Sequence, residues 1–390
     1  MGKIIILGMG LMGPTIAKDC ISDPKIMRVV GCDIDESKLD AARSYIKSKK
    51  FSTMKLDITD SNALVKALKG FDVVVNASAS KFSVSIVEAA IKAETNFIDL
   101  SAGTFPMEGD LYKRVLEAQI TAVPGCGVDP GLIDILSGQG MDYMDKVEEV
   151  HFACGGLPKN PEPPLDYKIV FGGTRMPIRP GKVPIIIDGK VVDAERYDDL
   201  ESIYVDGYDD MEAFYDGFPS SLLKLCLERG VKTFKCKTIR YNGFVDKIKF
   251  LLDLGVIDNK PIRYNGKEIV PVDFFHELIY PLVKFDENKG DRDITVLLVR
   301  VVGTKGDLDI EVTYEMVDEY DEKKKITSMA KTTGYTGSII ARMLAKGDIK
   351  EKGVQWPVRI IRGAMFEELL SNLRKRGVVI NETITKSRDV

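Results

Sequence analysis

Along the first third of the chain, short apolar runs alternate with longer stretches in which apolar residues recur at every third or fourth position. The runs at 3–7, 27–32, 53–56, 72–76, 96–100 and 120–123 read as strands, and 61–68, 84–93 and 111–118 read as helices. Regular alternation of this kind predicts a parallel, doubly wound sheet with helices on both faces, whose ligands bind beyond the carboxyl ends of the strands. After residue 123 the pattern changes. Asp188-Gly189, Asn265-Gly266 and the stretch 303–306 each separate two runs rich in β-branched residues, which predicts hairpins and a mainly antiparallel sheet. The expected fold is therefore α/β, with a parallel unit over 1–125 and an α+β unit over 126–330 that carries the substrate site.

The first strand ends in Gly8-Met9-Gly10-Leu11-Met12-Gly13 and runs into a helical pattern. Strand, G-x-G-x-x-G turn and helix together form a Rossmann-type phosphate cradle. Gly8 makes the tight turn, Gly10 lets the backbone approach a pyrophosphate, and Gly13 lets helix and strand close up. The second strand ends at Asp33, where a carboxylate accepts bonds from the two hydroxyls of an adenosine ribose and repels a 2′-phosphate. NAD is the expected cofactor, with NADP less favoured. The later strand ends add Asp57, Ala77 and Ser78, and Ser101-Ala102-Gly103 as candidate contacts to the nucleotide.

A second glycine-rich elbow, "GCGVDPGLIDILSG" at 125–138, lies where the two patterns meet. Gly127 is expected beside the nicotinamide end, Asp129 as the N-cap of the next helix, and Pro130 in its first turn. A parallel nucleotide unit followed by an antiparallel one places an active site in the cleft between them.

Composition narrows the function classes. A net charge of −4 with no basic stripe argues against nucleic acid, and no apolar run reaches membrane-spanning length. Six scattered cysteines and two distant histidines motivate neither a disulfide framework nor a metal site. Cys126 and Cys154 are read as buried structural thiols. The N-terminal apolar run reads as a strand, not a leader, so a cytoplasmic protein with a small-molecule substrate is expected.

Several motifs in order resemble the saccharopine dehydrogenase-like family, with the nearest likeness to its lysine 6-dehydrogenase branch. They are the opening G-x-G-x-x-G, the 125–138 elbow, "CGGLP" at 154–158, "PLDYKIVFG" at 164–172, "TIRYNGF" at 238–244 and "TTGYTGSIIARMLAKG" at 332–347. The resemblance implies transfer of a hydride from an amine-bearing carbon to NAD, giving an imine that hydrolyses or cyclises. It also implies that residues 331–390 return to the nucleotide unit, and it suggests a homodimer, as does an extended antiparallel sheet. Phe244 stands where lysine 6-dehydrogenases usually carry histidine and saccharopine reductases tend to carry phenylalanine, so a glutamate-forming saccharopine reaction, or that of a related imine reductase, is the alternative. A dinucleotide-binding sensor without turnover is an alternative of another class.

Within those motifs an amino-acid substrate needs its carboxylate held, and arginine does this with a planar fork. Arg240 is the first candidate, with Tyr241, Gly155 and Gly156 beside the substrate; Arg175 and Arg179 are weaker candidates in a Gly/Pro-rich loop. Oxidation of an amine requires its lone pair, so a base must take the nitrogen's proton. Lys168 with Tyr167 is favoured for this, and Asp129 and His151 are the other groups able to do it; His276 has less claim.

Overall fold

The computed structural model describes the chain apart from residues 1, 103–104, 172, 218–219 and 389–390. Its first layer contains β1 (Gly2–Leu7), α1 (Gly13–Ser22), β2 (Ile26–Asp33), α2 (Glu36–Tyr45), β3 (Phe51–Lys55), α3 (Ser61–Leu68), β4 (Val73–Asn76), α4 (Ser83–Ala93), β5 (Asn96–Asp99), α5 (Asp110–Glu117) and β6 (Thr121–Val123). The sequence then passes through α6 (Leu132–Asp142), β7 (Lys146–Pro158), β8 (Lys182–Ile187), β9 (Lys190–Glu195), β10 (Glu201–Ile203), β11 (Met211–Tyr215), α7 (Ser220–Glu228) and β12 (Thr233–Tyr241). Next come α8 (Phe244–Asp253), β13 (Ile262–Tyr264), β14 (Lys267–Ile269), α9 (Pro271–Val283), β15 (Asp293–Lys305) and β16 (Leu308–Glu319). The remainder is α10 (Ser328–Lys346), β17 (Gly353–Val354), α11 (Pro357–Ile360), α12 (Ala364–Lys375) and β18 (Asn381–Ser387).

The parallel sheet has the order β17-β6-β5-β4-β1-β2-β3, so its direction of winding reverses between β1 and β4. That switch point opens a crevice at the strand ends, next to Gly8 and Ala77. The nine-stranded sheet is mixed and mostly antiparallel; β12 and β7 pair in parallel at its centre, with Thr238 opposite Cys154. α10 packs on α1, and β17 pairs with β6. β18 instead pairs with β16, so the last strand lies at the edge of the large sheet and not in the nucleotide layer. Among the described residues no helix is long and apolar enough to cross a membrane.

Several local expectations are corrected. α6 begins at Leu132 after Gly131, with no side chain of Asp129 capping it. Asp134 takes that part: its carboxylate reaches back to the Gly131 N–H from the third helical position, as in half of a capping box. Pro130 lies before the helix rather than in its first turn. The hairpin expected at 303–306 turns later, at Gly306, while Gly303 sits inside β15 at a register shift where a Cβ would fall 2.1 Å from the Lys146 carbonyl oxygen. Strand pairing decided this, because it extends β15 past a glycine that reads locally as a turn. Further on, Gly363, whose φ of 55° no continuous helix accepts, separates α11 from α12.

Candidate active site

At the switch point the three glycines have different reasons for being glycine. A Cβ on Gly8 would lie 2.7 Å from the Ala77 carbonyl oxygen, and one on Gly13 would lie 2.0 Å from that of Gly8, so both are required by the fold. A Cβ on Gly10 would meet nothing within 4 Å. The space above Gly10 is open, and α1 begins there with no capping side chain and no acid in its first turn. That combination fits an anion such as a pyrophosphate, which a bare helix N-terminus attracts. Leu11 is exposed at the lip and Met12 partly so.

Asp33 is fixed at the end of β2: Oδ2 accepts from the Met9 N–H at 2.8 Å and Oδ1 from that of Asp35 at 3.0 Å. Lys38 Nζ stands 4.0 Å from Oδ1. Asp57 is exposed, and its carboxyl is held low by the Thr59 hydroxyl and N–H. Ser78 donates from both N–H and Oγ to Asn76 Oδ1, at 3.0 and 2.6 Å, and the Ala77 N–H donates to the Leu7 carbonyl. Ser101 donates its N–H to Asp99 at 2.9 Å. Gly103 lies outside the described residues.

Asp99, which closes β5, was not anticipated. Burial pushes its carboxyl up to about 7, against the lowering influence of Ser83, the Ser101 N–H and Asn76. Its Oδ2 has no hydrogen-bond partner among the described residues. A carboxylate ending an otherwise apolar strand run was the signal available in the sequence.

The second elbow closes on itself. The Gly127 N–H donates to the Pro130 carbonyl at 3.0 Å, and the Leu132 N–H to that of Gly127 at 2.9 Å. A Cβ on Gly127 would lie 2.7 Å from the Leu100 carbonyl oxygen, and Gly131, at φ 137°, would place one 2.3 Å from that of Gly127. These glycines let the loop seat against the end of β5, and the turn leaves Asp129 facing the large sheet. Asp129 Oδ1 has no hydrogen-bond partner among the described residues; burial raises its carboxyl to about 7, with Arg179 lowering it and Asp216 raising it.

Side chains on a strand alternate between faces, and that period sorts the remaining candidates. On one face of the large sheet lie Cys154 and Gly156 of β7, Thr238 and Arg240 of β12, and Phe214 of β11, linked by the pairings Thr238–Cys154 and Phe214–Thr238. Arg240 is only 4% exposed. Its guanidinium lies 4.8 Å from the Tyr167 ring centre and 5.7 Å from that of Phe244. One Nη donates to the Ile239 carbonyl at 2.6 Å, Nε has no hydrogen-bond partner, and no carboxylate pairs with this cation among the described residues. The Tyr167 hydroxyl, also buried, likewise has no hydrogen-bond partner there. Burial raises it while Arg240 and Arg179 lower it, so both cations stand within electrostatic reach. Arg179 and Arg196 both pair with the buried Asp216, which also accepts from Thr238 Oγ1 at 3.1 Å. Cys154 feels Asp129 and Arg240, and burial raises its thiol well above the usual range; Cys126 is raised in the same way.

The other face holds candidates that the structure does not bring to this cluster. The Tyr241 hydroxyl donates to the Pro158 carbonyl at 2.8 Å, and its ring packs with Ala153, Leu157 and Ile239. Gly155 faces the same way, since its Cβ would fall 2.5 Å from the Ile239 carbonyl oxygen, whereas Gly156 faces Met329 of α10 and Val170. His151 lies opposite Arg300 and Lys235, with Nε2 3.4 Å from Glu149 Oε2, and burial lowers its pKa. Lys168 is adjacent to Tyr167 in sequence, but its Nζ sits 3.2 Å from Glu162 and 3.9 Å from Asp291. Arg175 pairs with Asp273 at the surface, and His276 is buried in α9 with its pKa lowered by burial.

A family model for the saccharopine dehydrogenase NADP binding domain matches residues 4–123, and one for the saccharopine dehydrogenase C-terminal domain matches 127–378. The chain is 28% identical over 289 residues to the saccharopine dehydrogenase [NADP(+), L-glutamate-forming] of Saccharomyces cerevisiae, covering 68% of this chain and 62% of that enzyme. It is 21% identical to the mitochondrial alpha-aminoadipic semialdehyde synthase of Mus musculus, over 98% of this chain and 48% of that protein. It thus spans less than two thirds of the length of either relative. The solved structure of the apo L-Glu-forming saccharopine dehydrogenase from Saccharomyces cerevisiae superposes with a TM-score of 0.78 at 20% identity, covering 99% of this chain and 100% of that one, which shows a common fold. With the two family models together matching residues 4–123 and 127–378, across two sheets of this topology, the chain belongs to the saccharopine dehydrogenase family.

Proposed function

We propose that the protein is an oxidoreductase that takes a hydride from the amine-bearing carbon of a small amino acid, as in a lysine 6-dehydrogenase reaction, using NAD. The observation that carries this reading is Arg240: a buried guanidinium with no carboxylate partner among the described residues, packed on the ring of Tyr167, whose Oη has no hydrogen-bond partner there, while Asp129, whose Oδ1 has none either, acts on the same Cys154 as Arg240 does. Leaving such groups unsatisfied is costly unless a ligand completes them, and a substrate carboxylate on Arg240 with an amine near Asp129 does so. NAD is favoured because Asp33 presents a carboxylate where NADP would place its 2′-phosphate. In this proposal residues 126–330 form the substrate unit.

When bound at the glycine cradle, the nicotinamide ring supplies a two-electron hydride acceptor. This chain's residues do the rest. Asp129, with a carboxyl near 7, takes the proton from the substrate ammonium and leaves a neutral amine whose lone pair can form the C=N bond as the C–H electron pair departs. Arg240 holds the carboxylate, and its guanidinium packs against the adjacent rings of Tyr167 and Phe244. Lys168, already paired with Glu162 and Asp291, is a weaker choice of base than Asp129. Water adds to the resulting iminium and ammonia leaves, unless a second amine in the substrate closes a ring.

A glutamate-forming saccharopine reaction is the second reading, favoured by Phe244 and by the Saccharomyces cerevisiae relative. Against it, Arg179 and Arg196 are both held by the buried Asp216, so among the described arginines of this cluster Arg240 is the one with no carboxylate partner to offer a substrate bearing several carboxylates. The test is absorbance at the reduced-nicotinamide band with NAD or NADP against lysine, ornithine, saccharopine and diamines. Turnover of lysine with NAD is expected. Turnover of saccharopine alone selects the second reading, and tight NADH binding with no turnover on any amine means a sensor.

A further inference from the structure

Separate segments of the chain meet at one buried acid, Asp216. It directly follows β11, two residues beyond Phe214, so its side chain lies on the same face of the large sheet as Phe214, Thr238 and Arg240. Arg179, from the loop before β8, turns one Nη to Asp216 Oδ2, and Arg196, just after β9, turns one to Oδ1. Thr238 Oγ1 donates to Oδ2 at 3.1 Å. The Arg179 backbone is fixed as well, its N–H donating to the Tyr197 hydroxyl at 3.0 Å. Glu212, a second buried acid, lies opposite Arg240 in the pairing of β11 with β12. It turns instead to the N–H groups of Gly243 and Val245, at 3.1 and 2.7 Å, where it satisfies the start of α8. The face therefore holds two arginines on one internal carboxylate and a third, Arg240, with no carboxylate among the described residues.

We propose that Asp216 determines how many carboxylates the substrate bears: it gives Arg179 and Arg196 a carboxylate of the chain's own and so reserves the site for amines with a single carboxylate, the one on Arg240. The inference rests on the reading above, in which the substrate amine lies near Asp129. Arg179 lowers both the Asp129 carboxyl and the Tyr167 hydroxyl, and Asp216 raises that of Asp129, so this ion pair stands within electrostatic reach of the amine's place. A carboxylate carried on a second substituent of the amine nitrogen would meet Arg179 first. Asp216 already occupies that arginine. The incoming group would have to displace a buried, hydrogen-bonded carboxylate or lie beside it, and either is costly. The trio keeps a net positive charge, since it has two cations for one acid. What it withholds from a ligand is the Nη donors turned onto Asp216.

Calorimetric titration of the full chain, saturated with NADH, against ε-N-ethyl-lysine and ε-N-carboxymethyl-lysine tests this. The two secondary amines are close in size and differ by one carboxylate. The wild type is expected to bind the ethyl compound at least about tenfold more tightly. Asp216→Asn keeps an acceptor for Thr238 and removes the charge. It should move the ratio of the two affinities at least about thirtyfold toward the carboxymethyl compound, because a guanidinium is released to a ligand carboxylate. Asp216→Glu should keep the wild-type preference. Where Asp216→Asn fails to fold, combining it with Arg196→Met removes one cation along with the acid and should move the ratio in the same direction. A wild type that prefers the carboxymethyl compound overturns the proposal. So does a folded variant whose affinities for both compounds fall together, which makes Asp216 a structural residue. Binding is read without turnover, so the two readings fail separately. If neither amine binds, the amine reading itself falls; if both bind and the ratio does not move, that reading stands and Asp216 has no part in specificity.

Discussion

Arg240 and Asp33 are both charged, yet their surroundings give them opposite prospects. Asp33 is bonded to two backbone N–H groups and remains partly open to solvent, so its charge is supported with or without a ligand. Arg240 is buried with no carboxylate partner among the described residues, so a bound one should matter greatly to it. Losing such a bidentate partner costs on the order of 2–4 kcal/mol in transition-state binding. Arg240→Ala is therefore expected to lower kcat/KM on amino acids by a factor between about thirty and a thousand. NADH affinity, measured by fluorescence titration, should stay within about twofold, and a substrate lacking the carboxylate should lose far less. Equal losses on both substrates would make Arg240 a structural residue. For Asp33→Ala, the ratio of NAD to NADP affinity should fall at least about tenfold, because the change removes hydroxyl acceptors and a charge facing the 2′ position. An unchanged ratio would remove Asp33 from the ribose.

At the scale of elements, the glycine cradle offers a separation of folding from binding. Gly10 has open space where its side chain would be, while Gly13 has the Gly8 carbonyl. Gly10→Ala should leave thermal stability within about 0.5 kcal/mol of wild type, as a change in open space does, and weaken NADH binding at least tenfold by filling the room a pyrophosphate needs. Gly13→Ala should destabilise the fold by about 2 kcal/mol or more through the clash itself. Calorimetry and a binding titration on the two variants check this. If Gly10→Ala binds NADH normally, the cradle does not hold the phosphates. The same local logic explains why the helix after the second elbow was misjudged at its start. Asp-Pro-Gly reads as a cap followed by a first turn, but the loop folds back through Gly127 and Gly131 and delays the helix to Leu132.

Across the whole molecule, buried carboxyls tie stability to pH. Asp99 and Asp129 are raised to about 7 and Asp293 to about 6, each mainly by burial. The sign is opposite to that of a salt-bridged acid. Between the unfolded value near 4 and the folded value near 7, the folded state holds a proton that the unfolded state has released, so these groups make stability fall as pH rises through that window. Asp99→Asn keeps the acceptor facing the Ser101 N–H and abolishes the titration. Its melting temperature should exceed that of wild type more at pH 8 than at pH 5, and a constant offset between the two would mean that Asp99 does not titrate there.

Local patterns in the chain were enough for the parallel layer, the glycine cradle with Asp33 at the end of the second strand, and the change to antiparallel pairing after residue 123, because each rests on residues close together in the chain: a strand and its turn, a helix and its apolar stripe. Ser61–Leu68 was legible to the residue for that reason. Arg240 and Tyr167 were legible as chemistry, since few side chains can hold a carboxylate or relay a proton. Which of the candidates share a face was not. Tyr241 follows Arg240, but one step along β12 moves a side chain to the opposite side, and only the pairing of β12 with β7 and β11 shows which side meets the cleft; Lys168 follows Tyr167 in a segment outside the strands, and only its contacts with Glu162 and Asp291 show where it goes. Asp216 was out of reach for a related reason. Its importance comes from Arg179, Arg196 and Thr238 converging on it from separate segments, and only the folded chain brings those segments together.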